Sequence, residues 1–222
     1  MTVLFKNDIC SLMKITEYTN GPAVIYVSSD RNDSQVFEIC DLIKKSHNSP
    51  FSLFELKVYD WDSYLTPWKM HMGNRVFSGN AKLLLDSVEN DIIPLIKDAI
   101  GFEVDIFIAG YSLAGLFSLW TVYESNIVNG AVSCSGSLWY ENWDVYIKNH
   151  APKKKVKIYI SLGDKEKNSK NIFMKTVEDK TFLQVEILKN SENVSEVLIL
   201  SILVYTFNSY KEDSYAAIGS AA

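Results

Sequence analysis

The sequence is poor in cysteine and histidine, and that poverty excludes several classes of protein. Three cysteines, Cys10, Cys40 and Cys134, are too few and too scattered for a disulfide framework. No C-x-x-C pair and no Cys/His cluster marks a structural zinc site, and nothing in the sequence requires a cofactor. A reducing compartment follows as the expectation. Lys6 and Asp8 interrupt the N-terminus before an apolar run of signal-peptide length can form, so no export leader is expected and the expected location is the cytoplasm. Positive charge is also scarce. Lys+Arg 22 against Asp+Glu 27 gives a net charge of -5, with no basic stripe to bind nucleic acid. Residues 106–123 are uncharged and reach the length of a membrane span, yet Gly110 and Gly115 divide them into VDIFIAG and LAGLFSLWTVY. That division reads as a buried strand followed by a buried helix, so no membrane partner is expected. There is no internal repeat, low-complexity tract or long linker, and residues 1–222 are expected to form a single domain.

What is present is a large apolar inventory. Hydrophobic residues make up 47% of 222 and charged residues 22%, enough apolar surface to offset the entropy of folding one domain. PAVIYVSSD, FSLFELKVYDW, VDIFIAG, NGAVSCSG and KVKIYISLGD are β-rich runs separated by helical patterns. This alternation, with near-continuous apolar strands, predicts an α/β fold whose mostly parallel sheet is covered by helices on both faces. SQVFEICDLIKKS places Val36, Ile39, Cys40 and Ile43 on one stripe, with Asp33 and Ser34 at the helix start. NAKLLLDSVENDIIPLIKDA is helical in spacing, and Pro94 should kink it or open a new first turn. TFLQVEIL reads as a final strand.

Chemistry concentrates in Gly110-Tyr111-Ser112-Leu113-Ala114-Gly115, at the junction of a strand-like run and a helix-like run. That is the context of a nucleophile elbow, where a serine on a sharp strand-to-helix turn needs small residues two positions either side. Gly110 and Ala114 meet the need, although Gly is commoner at the second place; an ordinary turn with a buried hydroxyl is the competing reading. With WDSYLTPW, GYSLAGLFSLW, SCSGSLWY and YISLGDKE, the chain over about residues 18–190 resembles the α/β-hydrolases, specifically serine esterases of the esterase D and feruloyl-esterase group. The resemblance implies an α/β-hydrolase fold, a nucleophile at Ser112, and hydrolysis of a small-molecule carboxylic ester through an acyl-enzyme.

That chemistry needs backbone donors for the oxyanion, a base, and a carboxylate to orient the base. The N–H of Leu113 follows the nucleophile, and the loop at residues 27–30 should supply the second donor, for which Ser29 is the candidate; a plain strand-ending turn fits those residues equally well. Asp164, after KVKIYISLG, is the candidate acid, with a helix-capping aspartate as the alternative. Tyr111, Trp61 and Trp139 are candidate pocket walls, although aromatics near strand ends are more often core. Asp60 and Asp62 read as loop residues.

The order Ser, acid, His then breaks. His47, His71 and His150 all precede Asp164, and no histidine lies among the 58 residues after it. Residues 191–222 do not read as the closing helix of the family, and VLILSILVYTF is an apolar run too short for a membrane and aggregation-prone if uncovered. The resulting expectations are an esterase of impaired activity, a binding or interaction module on a hydrolase fold, or a misread gene product; the oligomeric state is open. A shifted reading frame near residues 191–197 would account for the tail. Codons for residues 201–207 read two nucleotides late can encode Asn-Pro-Gly-x-His-Phe, so the gene sequence should carry a Gly-His-Phe-like turn in the offset frame. Its absence there would remove the frameshift explanation.

Overall fold

The computed structural model describes residues 2–18, 21–30, 35–46, 49–163, 166 and 171–202. Among these residues the strands are β1 (Thr2–Lys6), β2 (Cys10–Thr16), β3 (Ala23–Ser29), β4 (Ser52–Val58), β5 (Met70–Met72), β6 (Arg75–Phe77), β7 (Ile106–Tyr111), β8 (Gly130–Cys134), β9 (Val156–Gly163) and β10 (Val194–Ile202). The helices are α1 (Gln35–Ser46), α2 (Trp61–Tyr64), α3 (Ala81–Ser87), α4 (Ile93–Ile100), α5 (Leu113–Glu124), α6 (Trp143–Asn149) and α7 (Val177–Lys189).

Eight strands form one sheet in the order β1-β2-β4-β3-β7-β8-β9-β10, and β5 and β6 make a separate hairpin. From β4 to β10 every pairing is parallel, whereas β2 runs antiparallel to both neighbours. The strands with continuous apolar runs are the central ones. β3 is buried from Ala23 to Ser28 and β7 from Ile106 to Gly110, because helices cover both faces. One face carries a large core reaching from Cys10 to Leu188; the other carries a smaller core in which Val36, Ile39, Cys40 and Ile43 of α1 meet Tyr26, Val132 and Tyr159. α5 is buried at every residue from Leu113 to Tyr123, as expected of a helix that is apolar all round.

Pro94 acts as its spacing predicts. A five-residue π turn, Val88–Ile92, separates α3 from α4, and Pro94 falls in the first turn of α4, where a missing N–H costs nothing. Positions 33 and 34, proposed as the start of α1, lie outside the described residues.

One reading of the C-terminal part is corrected. TFLQVEIL is not a strand but the body of α7: its alternation of Leu183, Val185 and Ile187 mimics a strand, yet the buried residues are Val177, Thr181, Gln184, Val185 and Leu188, on the helical period. Of the apolar run beginning at Val197, the residues up to Ile202 belong to β10, the strand at the edge of the sheet, which pairs in parallel with β9 from Val194↔Val156 to Ile202↔Gly163 and leaves Leu198 exposed; residues 203–207 lie outside the described residues. Sequence pattern alone also missed the β1–β2 hairpin and the β5–β6 hairpin.

The aromatic residues tie the loops after β4 and β8 together. Trp143, fully buried, stacks on Tyr146 at 5.5 Å and meets Tyr123 edge-on at 6.1 Å, while Trp68 stacks on it from the other loop at 6.4 Å. Trp143→Ala should therefore lower stability by about 3–5 kcal/mol. Urea unfolding with an unchanged slope and a lower midpoint is the expected result, and an unchanged midpoint would contradict this packing.

Candidate active site

The connection from β3 leads to β4 on one side of the sheet, and that from β7 leads through α5 to β8 on the other. A crevice opens outside the carboxyl ends of parallel strands where the direction reverses in this way. Ser112 occupies that place, between the last residue of β7 and the first of α5. Its φ of 58° and ψ of -120° form a conformation that L residues seldom adopt. The turn is fastened on both sides. Ser112 N–H donates to the carbonyl of Cys134 at 3.1 Å, and its carbonyl accepts from Leu116 N–H at 3.1 Å and from Ser137 N–H at 2.9 Å.

Small residues make the turn possible. A Cβ on Gly110 would stand 2.6 Å from the Ala114 backbone carbon, and one on Gly115 would stand 2.9 Å from the Gly136 Cα. The small residues flanking Ser112 in sequence thus correspond to real close approaches. Ser112 itself is half-buried, with Oγ 3.2 Å from Ser137 Oγ. Leu113 opens α5, so its N–H belongs to the electropositive end of the helix beside that hydroxyl.

The other predicted residues distribute as follows. Ser29 ends β3, two residues beyond Val27, which pairs with Gly110, and so lies at the same sheet edge as Ser112. Ser28 is turned to other work, donating to Glu55 Oε1 at 2.8 Å inside the protein. Tyr111 is exposed at the end of β7, and Trp61 is half-buried at the start of α2. Trp139 is buried, edge-on to Phe77 at 6.2 Å and tilted against Tyr140. Asp60 is a loop residue, as read, and caps α2 by accepting from Ser63 N–H; Asp62 is not, lying in α2, where it binds Arg75. Asp164 and His47 lie outside the described residues.

His150 is not brought to Ser112. His71 is exposed on β5. His150 follows α6, stacked on Tyr146 at 4.2 Å with Nδ1 2.8 Å from the Tyr146 carbonyl. The Tyr146 hydroxyl donates to Glu124, the last residue of α5. Ser112 adjoins the opposite end of that 12-residue helix, about 18 Å away at 1.5 Å per residue.

Sequence reasoning missed two groups near the site. Ser137 is buried beside Ser112, and Glu166, in the loop after β9, accepts from the Gly163 N–H at 3.2 Å and from the Ser135 hydroxyl. Burial pushes the Glu166 carboxyl above the usual glutamate range, and the two donated bonds pull it partly back. The signals were SCSGSLWY and GDKE, quoted for resemblance without a role for each hydroxyl or for the second acid. Among the described residues, no group of three or more His, Cys, Asp or Glu side chains could hold a metal ion, and no helix is long and apolar enough to cross a membrane.

Strand order, parallel pairing and the helices on both faces define an α/β-hydrolase fold. An IroE-like serine hydrolase from Shewanella oneidensis superposes with a TM-score of 0.73 at 13% identity, over 95% of this chain and 74% of that one. The siderophore hydrolase EstA from Aspergillus nidulans gives 0.68 at 15%, over 95% and 89%. The enterobactin and salmochelin hydrolase IroE gives 0.64 at 17%, over 96% and 86%. No protein-family model matches the chain, and no curated protein matches it in sequence.

Gly110→Ala should cost about 1–3 kcal/mol, because the new Cβ must displace backbone rather than a flexible side-chain tip. A thermal midpoint equal to that of the parent would show that the turn has slack. Glu166 supplies a second prediction. With its folded pKa raised, the folded state holds the proton longer than the unfolded one, so Glu166 costs stability progressively as pH rises from the usual glutamate range through its folded value. The stability of Glu166→Gln relative to the parent should consequently improve between pH 4 and pH 7 in urea titrations. A relative stability that falls over this interval would reverse the sign.

Proposed function

We propose that this chain is a serine hydrolase acting on small-molecule carboxylic esters through an acyl-enzyme. The observation that carries the reading is Ser112 at positive φ on the turn between β7 and α5, with the N-terminal N–H groups of α5 beside its hydroxyl. Ser112 Oγ attacks the ester carbonyl carbon, and the negative charge that develops on the carbonyl oxygen is received by the Leu113 N–H and by a second donor from the loop at Ser29. Collapse breaks the ester C–O bond, the alcohol leaves with a proton, and water then releases the acid from Ser112. Tyr111 and Trp61 flank the substrate and Trp139 backs the site. The orienting carboxylate belongs to the loop after β9, where Asp164 is the candidate from the chain order and Glu166 is the described carboxyl group. Structural neighbours named as siderophore hydrolases and as an enterobactin esterase support an ester as the bond cleaved.

A second reading, a binding module on a hydrolase fold, is favoured by one specific observation. No histidine follows Asp164 in the 222 residues, and His150 is held at the far end of α5. Loss of one triad member still leaves roughly 10³–10⁴-fold catalysis over water, so the enzyme reading expects slow turnover rather than none.

Hydrolysis of a short-chain p-nitrophenyl ester tests this. Slow turnover by the parent, with an acyl group on Ser112 seen by intact mass in the parent and in His150→Ala and absent in Ser112→Ala, is the expected outcome. Turnover rising by orders of magnitude when the offset-frame C-terminus is restored would locate the missing base there. Stabilisation by a non-hydrolysable ester analogue, without turnover in either chain, would favour the binding module.

A further inference from the structure

The turn that follows β8 has a density of polar contacts that covering the sheet does not require. Ser135 takes a positive φ of 45° and its N–H donates to the carbonyl of Ser161 at 2.8 Å. Its hydroxyl is bound by Glu166, whose carboxylate also holds the Gly163 N–H. Gly136 lies so close to the turn that an added Cβ would meet Ser133 Oγ at 2.2 Å, and its Cα closes against Gly115 of α5. The next residue is Ser137, 3% exposed. Its N–H donates to the Ser112 carbonyl, and its Oγ stands 3.2 Å from the Ser112 Oγ.

Each of these contacts removes a freedom from Ser137. The backbone is pinned to β9 through Ser161, to the loop beyond it through Glu166, and to α5 by the Gly115–Gly136 contact. A hydroxyl on so fixed a backbone is a fixed reference point. A serine side chain has three staggered positions, and a half-buried serine on an exposed turn would otherwise sample more than one.

We propose that Ser137 is a positioning residue for the nucleophile: its hydroxyl holds the Ser112 Oγ in the single rotamer that points into the crevice at the carboxyl end of β7. The inference rests on the reading of Ser112 as the nucleophile and adds to it a residue 25 positions away. Ser137 touches no reacting atom of the substrate. It acts by raising the fraction of time for which the attacking oxygen is in place, which contributes to rate without strengthening ground-state binding.

Ser137→Ala removes the hydroxyl and keeps the N–H bond to the Ser112 carbonyl. Labelling of Ser112 by a fluorophosphonate, followed by intact mass, should slow roughly fivefold, the size expected of one neutral hydrogen bond. With a p-nitrophenyl ester the loss should fall on kcat and leave KM unchanged. Ser137→Thr, which keeps a hydroxyl on the same carbon, should restore most of the rate. A crystal structure of Ser137→Ala should show the Ser112 Oγ in a second staggered position, a readout that needs no turnover. An unchanged labelling rate with a single Ser112 rotamer would overturn the proposal. Failure of the parent to label at Ser112, with the rotamer splitting as expected, would overturn the nucleophile and leave only the hydroxyl contact.

Discussion

The structure around the candidate site depends on a three-way close approach of backbone. Gly110 at the end of β7, Gly115 in the first turn of α5, and Gly136 after β8 stand where a side chain on any one of them would strike its neighbours. Absence of those side chains lets α5 start directly above the sheet. Ser112 must then turn the chain within one residue, in a conformation that costs on the order of 1–3 kcal/mol. Hydrogen bonds from both sides, with Cys134, Leu116 and Ser137, hold it there. A hydroxyl and the positive end of a helix are thereby brought to one point at the edge of the sheet, and on that point the reading of chemistry rests.

The rest of the molecule secures that arrangement. α5 is buried along its length, so its axis cannot tilt without disturbing both the sheet and the aromatic cluster of Tyr123, Trp143 and Tyr146. Tyr146 joins the far end of α5 through Glu124 and also carries His150 in a stacked contact. The helix that places the serine therefore separates it from this histidine. Fold and chemistry pull apart here: a sheet whose order and pairing define an α/β-hydrolase fold presents a serine, while His150 is held at the far end of α5. Likeness to solved hydrolases at 13–17% identity speaks for the architecture, and the residues at the edge must speak for the reaction.

By itself the sequence determined the elements whose signal is local. The apolar runs of β3, β7 and β9, the stripe on α1, the new first turn at Pro94, and the strand–Ser112–helix junction with its small neighbours are each written within about a dozen residues. Local pattern misled where two periods coincide. Residues 181–188 alternate like a strand, and only packing of Val177, Thr181, Val185 and Leu188 against the core makes them a helix. The place of the last strand is likewise non-local, since residues 194–202 become the sheet edge only by pairing with β9. What tertiary structure alone decided is which polar groups meet: Ser112 with Ser137, Ser135 with Glu166, Tyr146 with Glu124. The physical reason is range. A hydrogen bond forms between atoms about 3 Å apart whatever their separation along the chain, and a one-dimensional pattern carries no record of that distance until the strands have taken their order in the sheet.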